Sequence, residues 1–342
     1  MPFAERFEAQ LLSGRPARTA EAVAERLLAI QGQDPRGARL TVRSRSAGLT
    51  AADVDRGLTD RTLLITWLNR GTLHLVRSED YPWLHALTAP LIVSGNARRL
   101  AETGVTPAQA EHAVRTIERS LADEGPLTRP QLRDRLDEAG VPTAGQALVH
   151  VLILAALRGL TVRGPMIGRE HAYALVHDWL PKPPRFDRER ALGELARRYL
   201  AGHGPAADRD LAKWSGLPLR DARAGLRAVA SRLDERPGGL VALAPPPKSP
   251  KLPAPRLLGA YDPILLGWAS REAILDGNSG LVTVNGLFRP FALVDGKAVA
   301  MWRYTAGKVE LEPFTPLGKK VEAALEREVQ DVIRFLASES RT

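Results

Sequence analysis

LADEGPLTRPQL, residues 121–132, returns 79 residues later as LAGHGPAADRDL, residues 200–211. Leu, Ala, Gly, Pro and the final Leu hold the same positions in both copies. An arginine-rich helical segment precedes each Gly-Pro, HAVRTIERSLADEG in one copy and ERALGELARRYLAGHG in the other. A short second helix follows (LTRPQLRDRLDEAG; ADRDLAKWSGL), then a third (TAGQALVHVLILAALRG; LRDARAGLRAVASRL). An extended apolar piece with turn residues closes each copy (GLTVRGPMIGREHAYALV; PGGLVALAP). Helix, Gly-Pro break, short helix, turn, longer helix and hairpin is the order of a winged helix-turn-helix. In the third helices Leu148, Val151, Leu152 and Ala155, and then Leu226, Val229 and Leu233, share one face, and Gly159 stands where a helix C-terminus is closed.

Working outward, the first hundred residues hold a more diverged third copy. TAEAVAERLLAI reads as a helix capped by Thr19, and LTAADVDRGL as another capped by Thr50. RTLLITWLNRGTLHLV reads as two strands joined at Asn69-Arg70-Gly71, with Trp67 a core residue of the first strand. On the other side, VALAPPPKSPKLPAPR (241–256) is a proline-rich extended linker. Beyond it LLGAYDPILLGW, GLVTVN, LFRPFALVDGKAVAMWRY and KVELEPF are short strand-like runs, with a hairpin at Asp295-Gly296 and Trp302 in the core. VEAALEREVQDVIRFLAS then places Val321, Leu325, Val332, Ile333 and Leu336 near one helix face. The fold class expected is α+β: winged-helix units over 1–100, 101–182 and 183–245, then a linker, a small C-terminal β-barrel and a terminal helix over 246–342.

Composition narrows the function. With 48 Lys and Arg against 39 Asp and Glu, the 342-residue chain carries a net charge of +9, and its pI is near 10.1. Such a balance favours a polyanionic partner, nucleic acid first. The absence of cysteine excludes disulfides, zinc–thiolate sites and cysteine nucleophiles. The longest apolar run, ALVHVLILAAL, is too short for a membrane span, and MPFAERFEAQ carries charges where an export signal is apolar, so a cytoplasmic protein is expected. No coiled coil or other dimer element is seen, which points to a monomer. The histidines show no HxxxH or HExxH spacing, and no P-loop, dinucleotide fingerprint or GxSxG elbow is present, so no metal or cofactor is expected.

Chemistry concentrates in LAIQGQDPRG (28–37), read as a helix running out into Gln31 and Gln33. Arg36, Arg39 and Arg43 follow at i, i+3, i+7, and Arg220, Arg223 and Arg227 repeat that spacing on the last third helix. Guanidinium forks suit phosphate oxygens, so both stripes, with Arg70 of the hairpin turn, are candidate DNA contacts. Thr72 and His74 alternate with Leu73 and Leu75 and so lie on one side of a strand, suited to a groove or phosphate.

The order of Gln-x-Gln-Asp-Pro and arginines, TWLNRGTLHLV, GHGPAADRDLAKW, LLGAYDPILLGW and PFALVDGKAVAMWR resembles the AlkZ-type winged-helix DNA glycosylases, over about residues 15–304. The resemblance implies three winged-helix units and a C-terminal barrel around a DNA-binding concavity. It also implies excision of alkylated purines and, in some members, unhooking of cross-links made by genotoxic natural products. A role in repair or self-resistance against such a metabolite rests on this likeness. The family's catalytic Gln-Φ-Gln carries over to Gln31 and Gln33, and its Thr-x-His to Thr72 and His74. The usually apolar Φ is Gly32 here, which removes a packing anchor.

The chemistry agrees with that reading. Alkylation at N7 or N3 makes a purine cationic, hence already a good leaving group, and the transition state has oxocarbenium character at C1′. Two amides supply acceptors and donors that hold a water and set carbonyl dipoles against developing positive charge. The implied partner is double-stranded DNA carrying alkylated purines. No Schiff-base lysine stands near the motif, Lys213 reading as a surface residue, so a monofunctional glycosylase without lyase chemistry is expected. Two rivals share the charge and the modules: a non-catalytic winged-helix regulator, and a binder that shields damage without excising it.

Overall fold

The computed structural model describes residues 2–182, 186–245, 247 and 249–337. The chain divides into two compact units, Met1–Val54 with Glu189–Thr342, and Asp55–Arg188.

In the second unit the hairpin Leu63–Leu68/Thr72–Arg77 sets Thr66 opposite His74 and Leu68 opposite Thr72. Asn69 and Gly71 turn the chain with φ of 52° and 82°, a region open to Asn and Gly. Helices Tyr81–Glu102, Pro107–Glu124, Arg129–Glu138 and Ala147–Leu157 follow, then a second hairpin, Thr161–Ile167/Glu170–Leu175. Ile65 pairs with Arg163, which joins the two hairpins into one antiparallel sheet. Thr106 and Thr128 start their helices as capping boxes with Gln109 and Gln131. Leu148, Val151, Leu152 and Ala155 are all buried, and Gly159 adopts the left-handed conformation (φ 71°) just past the helix end. Trp67 is buried, as its strand position implies.

In the first unit the repeated segment forms helices Arg188–His203, Asp208–Ser215 and Leu219–Ala228, then the hairpin Leu233–Arg236/Leu240–Leu243. Leu233 therefore opens a strand instead of extending the third helix, which has ended at Ala228. The two repeat copies agree in a further detail. Leu127, two residues after Gly125, bridges Tyr173 of its hairpin, and Ala206, two residues after Gly204, bridges Val241 of its own. Residues 127 and 206 are again 79 apart. In the N-terminal segment the helices Ala20–Leu27 (capped by Thr19, 3.1 Å to Ala22 N) and Pro35–Arg45 belong to the first unit. The hairpin after them belongs to the second.

The C-terminal part corrects the barrel expectation. Its strands form an open antiparallel sheet in the order Lys308–Pro313, Lys297–Thr305, Phe291–Val294, Arg256–Leu258. The edge strands do not pair with each other, so the sheet does not close. The missing strands are those whose apolar runs contain helix and turn signals. In YDPILLGW the Asp262 carboxylate caps Ile264 N at 3.0 Å and starts the short helix Pro263–Leu266, and GLVTVN keeps only the bridge Val282–Phe288. Helix Lys319–Leu336 buries Leu325, Val329, Val332, Phe335 and Leu336, while Val321 and Ile333 stay half-exposed. It also closes one sheet edge: Glu328 accepts the Leu257 N–H at 3.0 Å, and Arg43 donates to the Leu257 carbonyl at 2.6 Å. An edge strand so covered offers no template for another chain. Among the described residues no helix is long and apolar enough to cross a membrane.

Candidate active site

The Gln31–Gln33 stretch is a break between two helices, not the end of one. The first helix stops at Leu27, Leu28 turns left-handed (φ 64°), and Ile30–Gln31 is extended. Asp34 then caps the next helix, its Oδ1 accepting the Gly37 N–H at 2.8 Å, with Pro35 in the first turn. Asp-Pro is a helix start signal and outcompetes continuation of the apolar helix before it. Gln31 is buried and Gln33 exposed, one residue ahead of the cap. Among the described residues the Gln33 side chain makes no hydrogen bond. Gly32 between them is buried, and a buried position with no side chain leaves the anchoring of the pair to its flanks.

Helix Pro35–Arg45 is fixed from behind. A Cβ on Gly37 would overlap the Ala260 carbonyl, and one on Gly259 would stand 3.0 Å from the Gly37 Cα. At the far end Arg45, fully buried, donates to both Asp262 oxygens (2.7 and 2.8 Å), to Gln10 Oε1 (2.7 Å) and to Ser44 Oγ (2.8 Å). The segment 259–262 is thereby held along the helix that begins beside Gln33. Sequence reasoning missed Arg45, Asp262 and Tyr261. The signal for Asp262 was the Asp-Pro start hidden in an apolar run.

The arginine stripes divide. Arg36 is exposed, its guanidinium 5.0 Å from the centre of the Tyr304 ring. Arg39 is buried and donates to the Pro35 carbonyl at 3.1 Å. Arg43 is buried in ion pairs with Glu328 (2.8 Å) and Asp331 (2.9 Å), besides its bond at the sheet edge. In the second stripe Arg220, Arg223 and Arg227 are all exposed, and Arg223 also pairs with Asp208 at 2.6 Å. Equal spacing put each set on one helix, but in the first stripe two of the three side chains face the protein. Lys213 lies on the surface, and Trp302 is buried with its Nε1 on the Leu258 carbonyl at 2.9 Å.

In the second unit His74 is buried, its Nδ1 2.9 Å from the Thr72 carbonyl. A ring nitrogen facing a carbonyl carries the hydrogen, which leaves Nε2 as an acceptor. Burial, with the charge of Arg70 adding to it, lowers the His74 pKa to about 3, so the ring is neutral at physiological pH. Arg70 is exposed on the turn. Along the same hairpin Thr72 Oγ1, Thr66 Oγ1 and both amide atoms of Asn69 are buried without a hydrogen-bond partner among the described residues. Thr66 and Asn69 extend the Thr-x-His pattern, and cross-strand register, invisible in a linear motif, is what relates Thr66 to His74.

Two helix-plus-hairpin repeats, an open C-terminal sheet and a pair of amides ahead of a capped helix make up an α+β fold. Residues 24–335 match the family described as DNA glycosylase AlkZ-like, and the chain belongs to that family. It is 28% identical over 360 residues to an interstrand DNA cross-link repair glycosylase of Streptomyces sahachiroi, with 97% of this chain and 95% of that protein covered. The solved structure of the Streptomyces sahachiroi DNA glycosylase AlkZ superposes with a TM-score of 0.76 at 26% identity, again covering 97% of this chain and 95% of that one.

Proposed function

We propose that this protein is a monofunctional DNA glycosylase that hydrolyses the N-glycosidic bond of cationic N-alkylpurines, including bulky N7-guanine adducts and cross-links from a genotoxic natural product. In this reading residues 1–100, 101–182 and 183–245 are winged-helix units that carry duplex DNA. Arg36, Arg70, Arg220 and Arg227, all exposed, contact phosphates, and Thr72 and His74 contact the duplex from their hairpin. Arg223, also exposed, stands on the stripe of Arg220 and Arg227, while buried Arg39 and Arg43 hold the fold around those contacts.

The observation that carries the reading is the use of Asp34. The one carboxylate adjacent in sequence to the glutamines is bound to the Gly37 N–H. The two amides themselves position a water and set carbonyl dipoles toward developing positive charge, and neither is a strong base or acid. Such a site is competent only where the leaving group needs no help, which is the condition N-alkylation creates. Undamaged DNA is then not a substrate.

The test uses duplexes bearing a single N7-methylguanine or a bulky N7-guanine adduct, incubated with the protein and then treated with alkali. Strand breaks are expected after alkali and none before it. Gln31→Ala and Gln33→Ala should each slow release by about 10²–10³-fold, the range for removing one preorganised polar group. No breaks on any adduct overturns the proposal, and sequence-specific retention of undamaged DNA replaces it with a regulator. Tight binding of adducts without breaks replaces it with a shielding binder.

A further inference from the structure

We infer that Tyr261 is a specificity-determining residue, its ring the surface on which the cationic base rests once the duplex is engaged. The inference rests on the glycosylase reading of Gln31 and Gln33 and names what selects the substrate there.

Tyr261 stands in LLGAYDPILLGW, a segment whose sequence pattern the strand reading did not explain. Its neighbours are immobile. Ala260 is buried with its carbonyl against Gly37, and Asp262 is fully buried with both oxygens on Arg45. Between these two anchors Tyr261 is held at φ 58°, and its side chain is half-exposed. A bulky aromatic in that conformation costs free energy, and packing alone does not repay it, because the ring is not in the core. Among the described residues the hydroxyl makes no hydrogen bond.

The ring is one member of an aromatic pair whose second member already meets a guanidinium. Phe288 lies beside the ring, centroids 5.6 Å apart at 43°, and Arg271 sits 5.1 Å from the centre of Phe288. Burial, with the Asp34 carboxylate adding to it, raises the Tyr261 pKa and keeps the phenol protonated. A phosphate is repelled by that carboxylate. A planar cation is attracted by it and by the negative face of the aromatic ring. N7-alkylguanine is a planar cation, and guanine is not. Ala260 packs against Gly37, whose N–H is bound by Asp34, so the segment that carries Tyr261 runs along the helix start that directly follows Gln33.

The test measures binding, so that it stands apart from excision. In a full-length Gln31→Ala/Gln33→Ala chain, fluorescence anisotropy compares duplexes carrying one N7-methylguanine with duplexes carrying its neutral isostere, 7-methyl-7-deazaguanine. A 2′-fluoro sugar, which disfavours the oxocarbenium ion, keeps the cationic base in place. The chain with Tyr261 should prefer the cation by about tenfold, the range of a partly desolvated cation–π contact. Tyr261→Phe should keep that preference. Tyr261→Asn, which suits the left-handed backbone without a ring, and Tyr261→Leu should reduce it to within about twofold. A general loss of affinity or stability cancels in the ratio. The inference is overturned if either non-aromatic variant keeps the preference, if Tyr261→Phe loses it, or if the chain with Tyr261 shows none. Release of abasic sites by the unsubstituted protein judges the glycosylase reading separately.

Discussion

Removing Asp262 should be among the most damaging single changes in the first unit. Its two oxygens meet a guanidinium that is itself fully buried. Asp262→Ala leaves Arg45 with Gln10 and Ser44 as neutral partners and no counter-charge. Breaking a buried pair from one side costs about 3–5 kcal/mol. The same substitution removes the acceptor of Ile264 N, a cap worth ~1 kcal/mol. The expected loss is about 4–6 kcal/mol, against a total of ~5–15 kcal/mol for a folded domain.

Urea unfolding followed by tryptophan fluorescence measures it, with hydrogen exchange over residues 257–268 assigning the transition to this segment. At a slope of ~3 kcal/mol/M the midpoint falls by about 1.3–2 M. A second variant separates lost charge from lost shape. Arg45→Met with Asp262→Asn removes both charges and keeps an acceptor for Ile264 N, and it should be less destabilised than Asp262→Ala alone. An Asp262→Ala cost under ~1 kcal/mol, or a double variant as unstable as the sum of its singles, would refute the reasoning.

Three further outcomes follow from the geometry. His203 is fully buried among Tyr199, Trp214 and Trp268, and burial lowers its pKa to about 3, whereas in the unfolded chain it titrates near ~6.5. Between those values the unfolded chain binds a proton that the native state refuses, so stability is complete above pH ~6.5 and falls by about 1.4 kcal/mol per unit as pH drops. His203→Phe should flatten a urea-midpoint series by that slope between about pH 6 and 4, and an unaltered slope would remove His203 from the account. Arg43→Ala should lower stability by about 3 kcal/mol and leave the salt dependence of duplex binding as it was. Arg220→Ala should keep stability and reduce the slope of log K against log salt by about one, and the reverse pattern would exchange their roles. Gly37→Ala drives a Cβ into the Ala260 carbonyl. A thermal melt should show a loss of about 1–3 kcal/mol, with excision reduced beyond what unfolding explains.

What was legible in the sequence was local. Thr19, read as a cap, caps its helix because capping needs only the next few residues. The 79-residue repeat gave the right order of helices and hairpin, and Leu127 and Ala206 keep their equivalence down to a single bridge. What was not legible was what each face meets. Arg43 shares its spacing with Arg36, yet its partners Glu328 and Asp331 lie 285 and 288 residues away, and no periodicity reports them. The barrel failed for a related reason. Strand-like composition in LLGAYDPILLGW was overridden by one Asp-Pro, and closing a sheet needs every strand. Gln31 and Gln33 were found as residue types, whereas their setting between two helices came from the same kind of Asp-Pro start at Asp34.

That stretch explains why these letters occur together. In QDPRG, Asp34 and Pro35 start a new helix after the break at Leu28, and the start leaves Gln33 exposed at its head. The cap engages Asp34 Oδ1 on the Gly37 N–H and holds the carboxylate at the helix start, one residue after Gln33. Gly37 lets the segment before Tyr261 cross against the helix, which Arg45 then locks through Asp262. A larger residue at 37 would displace the segment that carries the aromatic. The weakness of glutamine as a catalyst and the strength of the surrounding framework are therefore linked: the framework sets geometry and field, and the substrate's own charge supplies the driving force.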